Sequence, residues 1–178
     1  MVLTIEQILN ANTDEDLLKL LSGELQRFFP PEVRKNPVIF LSRLYAAPAG
    51  LRAMAATYEL DVSLALDDLA WHFVNHHGLF ELAEETIFGL RELEAQEAAD
   101  IFQSALAIIK PHWQDLNQIP VGEEHEWLDS KGIQTQMNPL NERMWKSLKQ
   151  YEDNSLMSLW PAYARKHPER CVTVAGRD

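Results

Sequence analysis

Between Phe80 and Ile109 the apolar side chains return at intervals of three and four residues: Phe80, Ala83, Ile87 and Leu90, then Ala98, Ile101, Phe102, Ala105, Ile108 and Ile109. A strand repeats every two residues, so this spacing gathers them on one side only if the backbone is helical. Two amphipathic helices are predicted, over 80–93 and 95–109. Similar spacing recurs along the chain, β-branched alternation is scarce, and only 7 glycines interrupt 178 residues. The fold class read from this is all-α, a single domain over 1–178 of about eight to ten helices with no sheet.

Start and stop signals divide the rest. Thr4 and Thr13 stand three residues before Gln7 and Asp16, the arrangement in which a hydroxyl satisfies a free amide at a helix start and a side-chain acceptor returns the bond. The first helix ends near Asn12. The second buries Leu17, Leu20, Leu21, Leu25 and Phe28 and stops at Pro30-Pro31, and Asn36-Pro37 starts a third that runs to Ala46. Residues 50–60 and 62–75 read as two further helices, the latter turning Leu66, Leu69, Ala70 and Phe73 inward before His76-His77-Gly78 breaks the chain. Residues 110–137 hold Pro111, Pro120, Gly122 and Gly132 with little periodicity, which predicts the longest irregular stretch. Asn138-Pro139 restarts a helix that buries Leu140, Met144, Trp145, Leu148 and Tyr151, and Pro161 kinks or restarts the last one, Leu156 to His167.

The formal net charge of −11 argues against direct contact with nucleic-acid phosphates or anionic lipid and predicts a basic partner. The excess is local, because residues 61–130 hold 15 acids and 2 bases. On the two helices after Gly78 the acids Glu81, Glu84, Glu85, Glu92, Glu94, Glu97 and Asp100 fall mostly off the apolar rows and are expected to face solvent. A single cysteine, Cys171, in what reads as a polar tail, forms no internal disulfide and no thiolate zinc cage, and no cofactor is predicted. No apolar run approaches the roughly 18 residues of a spanning helix, so a cytoplasmic protein is expected.

Two stretches carry a family resemblance. Trp71-His72-Phe73-Val74-Asn75-His76-His77-Gly78, followed by Glu84-Glu85-Thr86-Ile87 and Glu97-Ala98-Ala99-Asp100-Ile101-Phe102, resembles the core of the bacterial DNA-mimic protein domain family. Leu140-Asn141-Glu142-Arg143-Met144-Trp145 and Lys166-His167-Pro168-Glu169 are similar to its C-terminal helical pair. The resemblance spans about 60–170, with the helices of 4–60 packed on that core, and Asp67-Asp68-Leu69 stands where the family commonly has an Asn-Gly-Gly-Phe turn. It implies an acidic all-helical interaction protein, not an enzyme, that occupies the nucleic-acid site of a DNA-binding regulator by imitating the duplex. Some relatives look like immunity or antitoxin proteins, which makes a basic toxin the alternative partner.

The contact charges expected on this reading are Glu84, Glu85, Glu92, Glu94, Glu97 and Asp100, with Trp127 as an aromatic anchor. Trp113 and Trp127 lie among Asp115, Glu123, Glu124, Glu126 and Asp129, and pinning of that segment to the core is the competing role for both. One constellation points to a different class. Asp68, His72 and His76 are spaced by four, which would line a carboxylate and two imidazoles along one helix face, as a metal-dependent hydrolase requires. Against that, Phe73 follows the first histidine where zinc-protease helices carry glutamate, so the three are expected to be flanking polar groups, with Asp68 paired to His72.

Overall fold

A computed structural model describes residues 2–75, 79–120 and 122–173. The fold is all-α, with no strand among the described residues. Its helices are α1 (Ile5–Asn10), α2 (Asp14–Phe28), α3 (Pro31–Arg34), α4 (Pro37–Ala46), α5 (Ala49–Leu66), α6 (Leu69–Asn75), α7 (Phe80–Glu92), α8 (Gln96–Ile109), α9 (Trp113–Leu116), α10 (Glu124–Ser130), α11 (Ile133–Leu148) and α12 (Leu159–Lys166). The predicted starts are present: Thr4 and Gln7 form a reciprocal capping box, Thr13 accepts the Asp16 amide, and Asn36 accepts those of Val38 and Ile39. Pro161 falls in the first turn of α12, which a 3₁₀ turn (Leu156–Ser158) separates from what precedes it, so the proline sits where its missing N–H costs least.

α5 organises the packing. Leu60 and Leu64 join the apolar cluster of α6, α8 and α11, while Leu51, Ala53 and Met54 join that of α1, α2 and α12. Ala55 and Ala56 join Phe29, Val33, Phe40 and Leu44. A helix that feeds clusters on several sides is buried nearly all round, and its sequence loses the clean stripe of a surface helix. That is why the expected break between residues 60 and 62 is absent. Nothing there stops a helix, and the part-buried Asp61 carboxylate accepts the Leu156 amide at 2.5 Å and the Ser155 hydroxyl at 2.9 Å, tying the turn before the last helix to α5.

Burial pushes the Asp61 carboxyl above its ordinary value, more than the bonds from Leu156 and Ser155 lower it. A raised folded-state pKa means the native protein holds the proton more tightly than the unfolded chain does. This contribution to stability is complete below the ordinary aspartate value of about 3.9 and is lost as pH rises through the raised one. Followed from below that value to neutrality, the urea midpoint of the native protein should therefore fall relative to that of Asp61→Asn.

Several expectations are corrected. α5 ends at Leu66, whose side chain is 83% exposed rather than inward, because the helix stops there and α6 begins on a new axis. The stretch 110–137 is mostly helical: a 3₁₀ turn (Lys110–His112), α9 and α10 occupy it, and α11 starts at Ile133 rather than at Asn138. Its prolines and glycines punctuate short helices instead of preventing them. Pro139 lies inside α11 on the exposed side, where water can satisfy the carbonyl that its ring leaves unbonded. Trp145 is 38% exposed on α11, since Met144 and Leu148 take the inner positions. Along α2, Leu17 and Leu21 are fully buried but Leu20, Leu25 and Phe28 only partly, and Glu24 is buried beside them, bonded to Arg27 and to the Leu3 amide. Cys171 lies not in a polar tail but in the cluster with Leu51 and Tyr163, where burial, with Glu169 and Glu92 nearby, pushes its thiol up to about 12.

Candidate acidic interaction surface

α7 and α8 run antiparallel, as shown by the Arg91 guanidinium donating to Gln103 Oε1 at 2.6 Å and Lys110 lying over the Phe80 ring at 5.0 Å. Glu94 turns the chain between them in a left-handed conformation (φ 63°), a place usually taken by glycine, and the Ala95 amide donates back to Leu90. The Glu94 carboxylate pairs with Lys166 of α12. That ion pair holds the Glu94 carboxyl below its usual range.

The seven acids expected to face solvent divide into two groups. Glu85 is buried and is gripped by Arg52 of α5 through two bonds, at 2.6 and 2.7 Å. It points inward because it lies one residue before Thr86, on the side of α7 that packs across α5, and an i,i+1 neighbour of exposed Glu84 is rotated about 100° away. Glu92 is half-buried, accepts the Tyr163 hydroxyl and pairs with Arg170 at 2.9 Å. Desolvation, then the bond to Glu92, drives the Tyr163 phenol well above its ordinary value. With Glu24 these carboxylates tie elements together, and the charge of residues 61–130 overstates what a partner meets.

Glu81, Glu84, Glu97 and Asp100 remain on the outer side, and Asp100 accepts the Gln96 side-chain amide at 2.8 Å. The groove between the two helices, about 610 Å³, is floored by Ile87, Phe88 and Leu106. Its rim holds Arg91 and Lys110, the two bases of residues 61–130, so the face is acid-rich rather than uniformly acidic.

A second group of exposed acids stands near α6: Glu123 just before α10, and Glu126 and Asp129 on it. The stacked rings of Trp71 and His125, 6.0 Å apart, hold α10 against α6. Sequence reasoning noted these acids only as surroundings of the tryptophans, although the absence of a base between Lys110 and Lys131 was a usable signal. Trp127 packs, half-buried, on the α6, α8 and α11 cluster with its ring edge-on to His112, as does Trp113 against Phe73 and Phe80. Both rings pack on the core and keep part of their surface exposed.

The histidine constellation is not assembled as spaced. Asp68 precedes the first residue of α6, so its carboxylate folds back to accept the Trp71 amide at 3.0 Å and the Gln134 side-chain amide at 2.6 Å. His72 is buried with Nδ1 2.9 Å from Ser63 Oγ, so the expected Asp68–His72 pair is replaced by these two contacts. His76 lies outside the described residues, among which no three metal-ligating side chains converge. The same geometry explains the departure at 67–69, where an aspartate caps α6 in place of a glycine turn.

A family model described as DMP19-like protein matches residues 46–167, more than two thirds of the chain. The chain belongs to the DMP19-like protein family. No curated protein and no solved structure matches it. The DMP19-like region takes in all of α5 to α12, and so contains the Arg52–Glu85 pair and both groups of exposed acids. The likeness thus begins earlier than the stretch 60–170 indicated, because α5 packs on α7 as part of the same unit. Outside it lie α1 to α3 and all but the last residue of α4. No helix of the DMP19-like chain among the described residues is long and apolar enough to cross a membrane.

Proposed function

We propose that the protein acts by binding a basic protein, a DNA-binding regulator or a toxin, through carboxylates that stand in for the phosphates of a duplex. The observation that carries this reading is the set Glu81, Glu84, Glu97, Glu123, Glu126 and Asp129, all on α7, α8 and α10 or the residue before it. Each is at the surface and none forms an ion pair among the described residues. Unpaired surface carboxylates cost little in folding and create the field that steers a cationic partner. Membership of the DMP19-like family supports the reading.

Capture from native lysate identifies the partner, and charge reversal then tests the surface. Glu84→Lys, Glu97→Lys and Asp100→Lys together should leave the helical signal and melting unchanged, since all three positions are exposed. Affinity for the captured partner should fall by a factor of ten or more at low salt, with a flatter dependence on ionic strength. Duplex DNA should compete for the same partner if mimicry is the mechanism. Unchanged affinity and salt dependence in the triple variant would rule out the α7–α8 surface.

A further inference from the structure

α4 is apolar on both sides. Phe40 and Leu44 are buried with Phe29, Ala55 and Ala56, whereas Val38, Ile39 and Tyr45 are 62%, 47% and 55% exposed on the outer side. Val38, Ser42 and Tyr45, spaced four and three, form one outward row about 10 Å long, with Ile39 beside it. Solvent-facing rows of large apolar side chains on this scale mark contact surfaces.

The surrounding charge is opposite to that of the rest of the molecule. Between Glu24 and Glu59 the chain has five bases, Arg27, Arg34, Lys35, Arg43 and Arg52, and one acid, Glu32. Arg27 and Arg52 are taken up by Glu24 and Glu85. Arg34, Lys35 and Arg43 form no ion pair among the described residues, and two of them rest over aromatic rings, Arg34 on Tyr58 at 5.6 Å and Arg43 on Phe28 at 5.9 Å. A protein of net charge −11 thus keeps a patch where exposed apolar side chains are bordered by cations that form no ion pair among the described residues.

We propose that the outer face of α4 docks an acidic amphipathic helix of a partner protein. The apolar row matches the ridge that a second helix lays across two turns, and the flanking cations meet acids beside its stripe. A second copy seated α4 on α4 would bring Lys35 and Arg43 against their equivalents with no acid on the helix to relieve them. An anionic bilayer would attract the three cations while meeting the repulsion of the remaining acids. The face lies outside the DMP19-like match apart from Ala46. Its inner side packs near Leu82 of α7, and the Tyr45 ring lies 5.0 Å from the Arg52 guanidinium that binds Glu85.

Selection of helical peptides from a random library against the whole protein tests this. Peptides that bind should carry net negative charge and apolar residues three and four apart. In fluorescence anisotropy their affinity should fall at least ten-fold with Val38→Ser/Tyr45→Ser. Lys35→Glu/Arg43→Glu should give a comparable loss and a weaker salt dependence. All four positions are exposed, so unchanged melting separates these effects from misfolding. Recovery of basic peptides alone, or affinities indifferent to both double variants, overturns the proposal. So does an α4-dependent doubling of mass in sedimentation, or α4-dependent binding to phosphatidylglycerol vesicles without peptide binding.

Discussion

Gly89→Ala should destabilise the protein by about 1–3 kcal/mol, the range for forcing extra atoms into a well-packed contact. Alanine is the better helix former by about 1 kcal/mol, so propensity alone gives the opposite sign. The close approach of α7 to α5 decides the outcome. A Cβ on Gly89 would lie 2.8 Å from the Ala53 carbonyl oxygen, 2.9 Å from Thr57 Cγ2 and 3.3 Å from Ala53 Cα. Two of these atoms are backbone of a helix packed on several sides, so relief requires moving α5 as a body. The Thr86 hydroxyl, which donates to the Ala56 carbonyl at 3.1 Å, would be disturbed by the same displacement. Gly23 in α2 supplies the control, since a Cβ there meets nothing within 4 Å. Gly23→Ala should stabilise by up to about 1 kcal/mol. Urea midpoints at constant m-value read both, and opposite signs for one chemical change are the expected result.

Arg52→Ala should cost about 3 kcal/mol, near the lower end of the range for breaking a buried ion pair, because the Arg52 side chain is itself a quarter exposed and its loss admits water. The cost arises from Glu85, left as a buried carboxylate without its two charge-assisted bonds. Removal of the guanidinium also strips the cover from the Phe88 ring, 4.3 Å away. Arg52→Met with Glu85→Leu should recover most of the loss, since apolar groups of similar volume often replace a buried pair without penalty. Glu84→Ala, one residue from Glu85, should stay within about 0.5 kcal/mol of the native protein. The contrast bears on function, because a charge-reversal set that included Glu85 would register unfolding as lost binding.

Local order was legible without coordinates. The caps at Thr4, Thr13 and Asn36, the amphipathic rows of α7 and α8, and the all-α class follow from interactions within four residues of chain, and side-chain chemistry at that range suffices to specify them. The DMP19-like character was also legible, through short runs of residue types around Trp71 and Glu97. What failed depended on partners distant in sequence. Glu84 and Glu85 are chemically alike and adjacent, and only α5, 33 residues back from Glu85, makes the second a buried strut by setting Arg52 against it. Asp68 and His72 have ligand-like spacing, but Gln134 and Ser63 claim them. The prolines and glycines of 110–132 read as loop until packing of Trp113, Trp127 and Leu128 on the α6, α8 and α11 cluster repays the ordering of short helices that would not form alone. The sequence by itself determined the all-α class, the starts of α1, α2 and α4, and where negative charge is concentrated. The tertiary structure alone decided which of those charges face outward, because burial and ion pairing are set by helices brought together from distant parts of the chain.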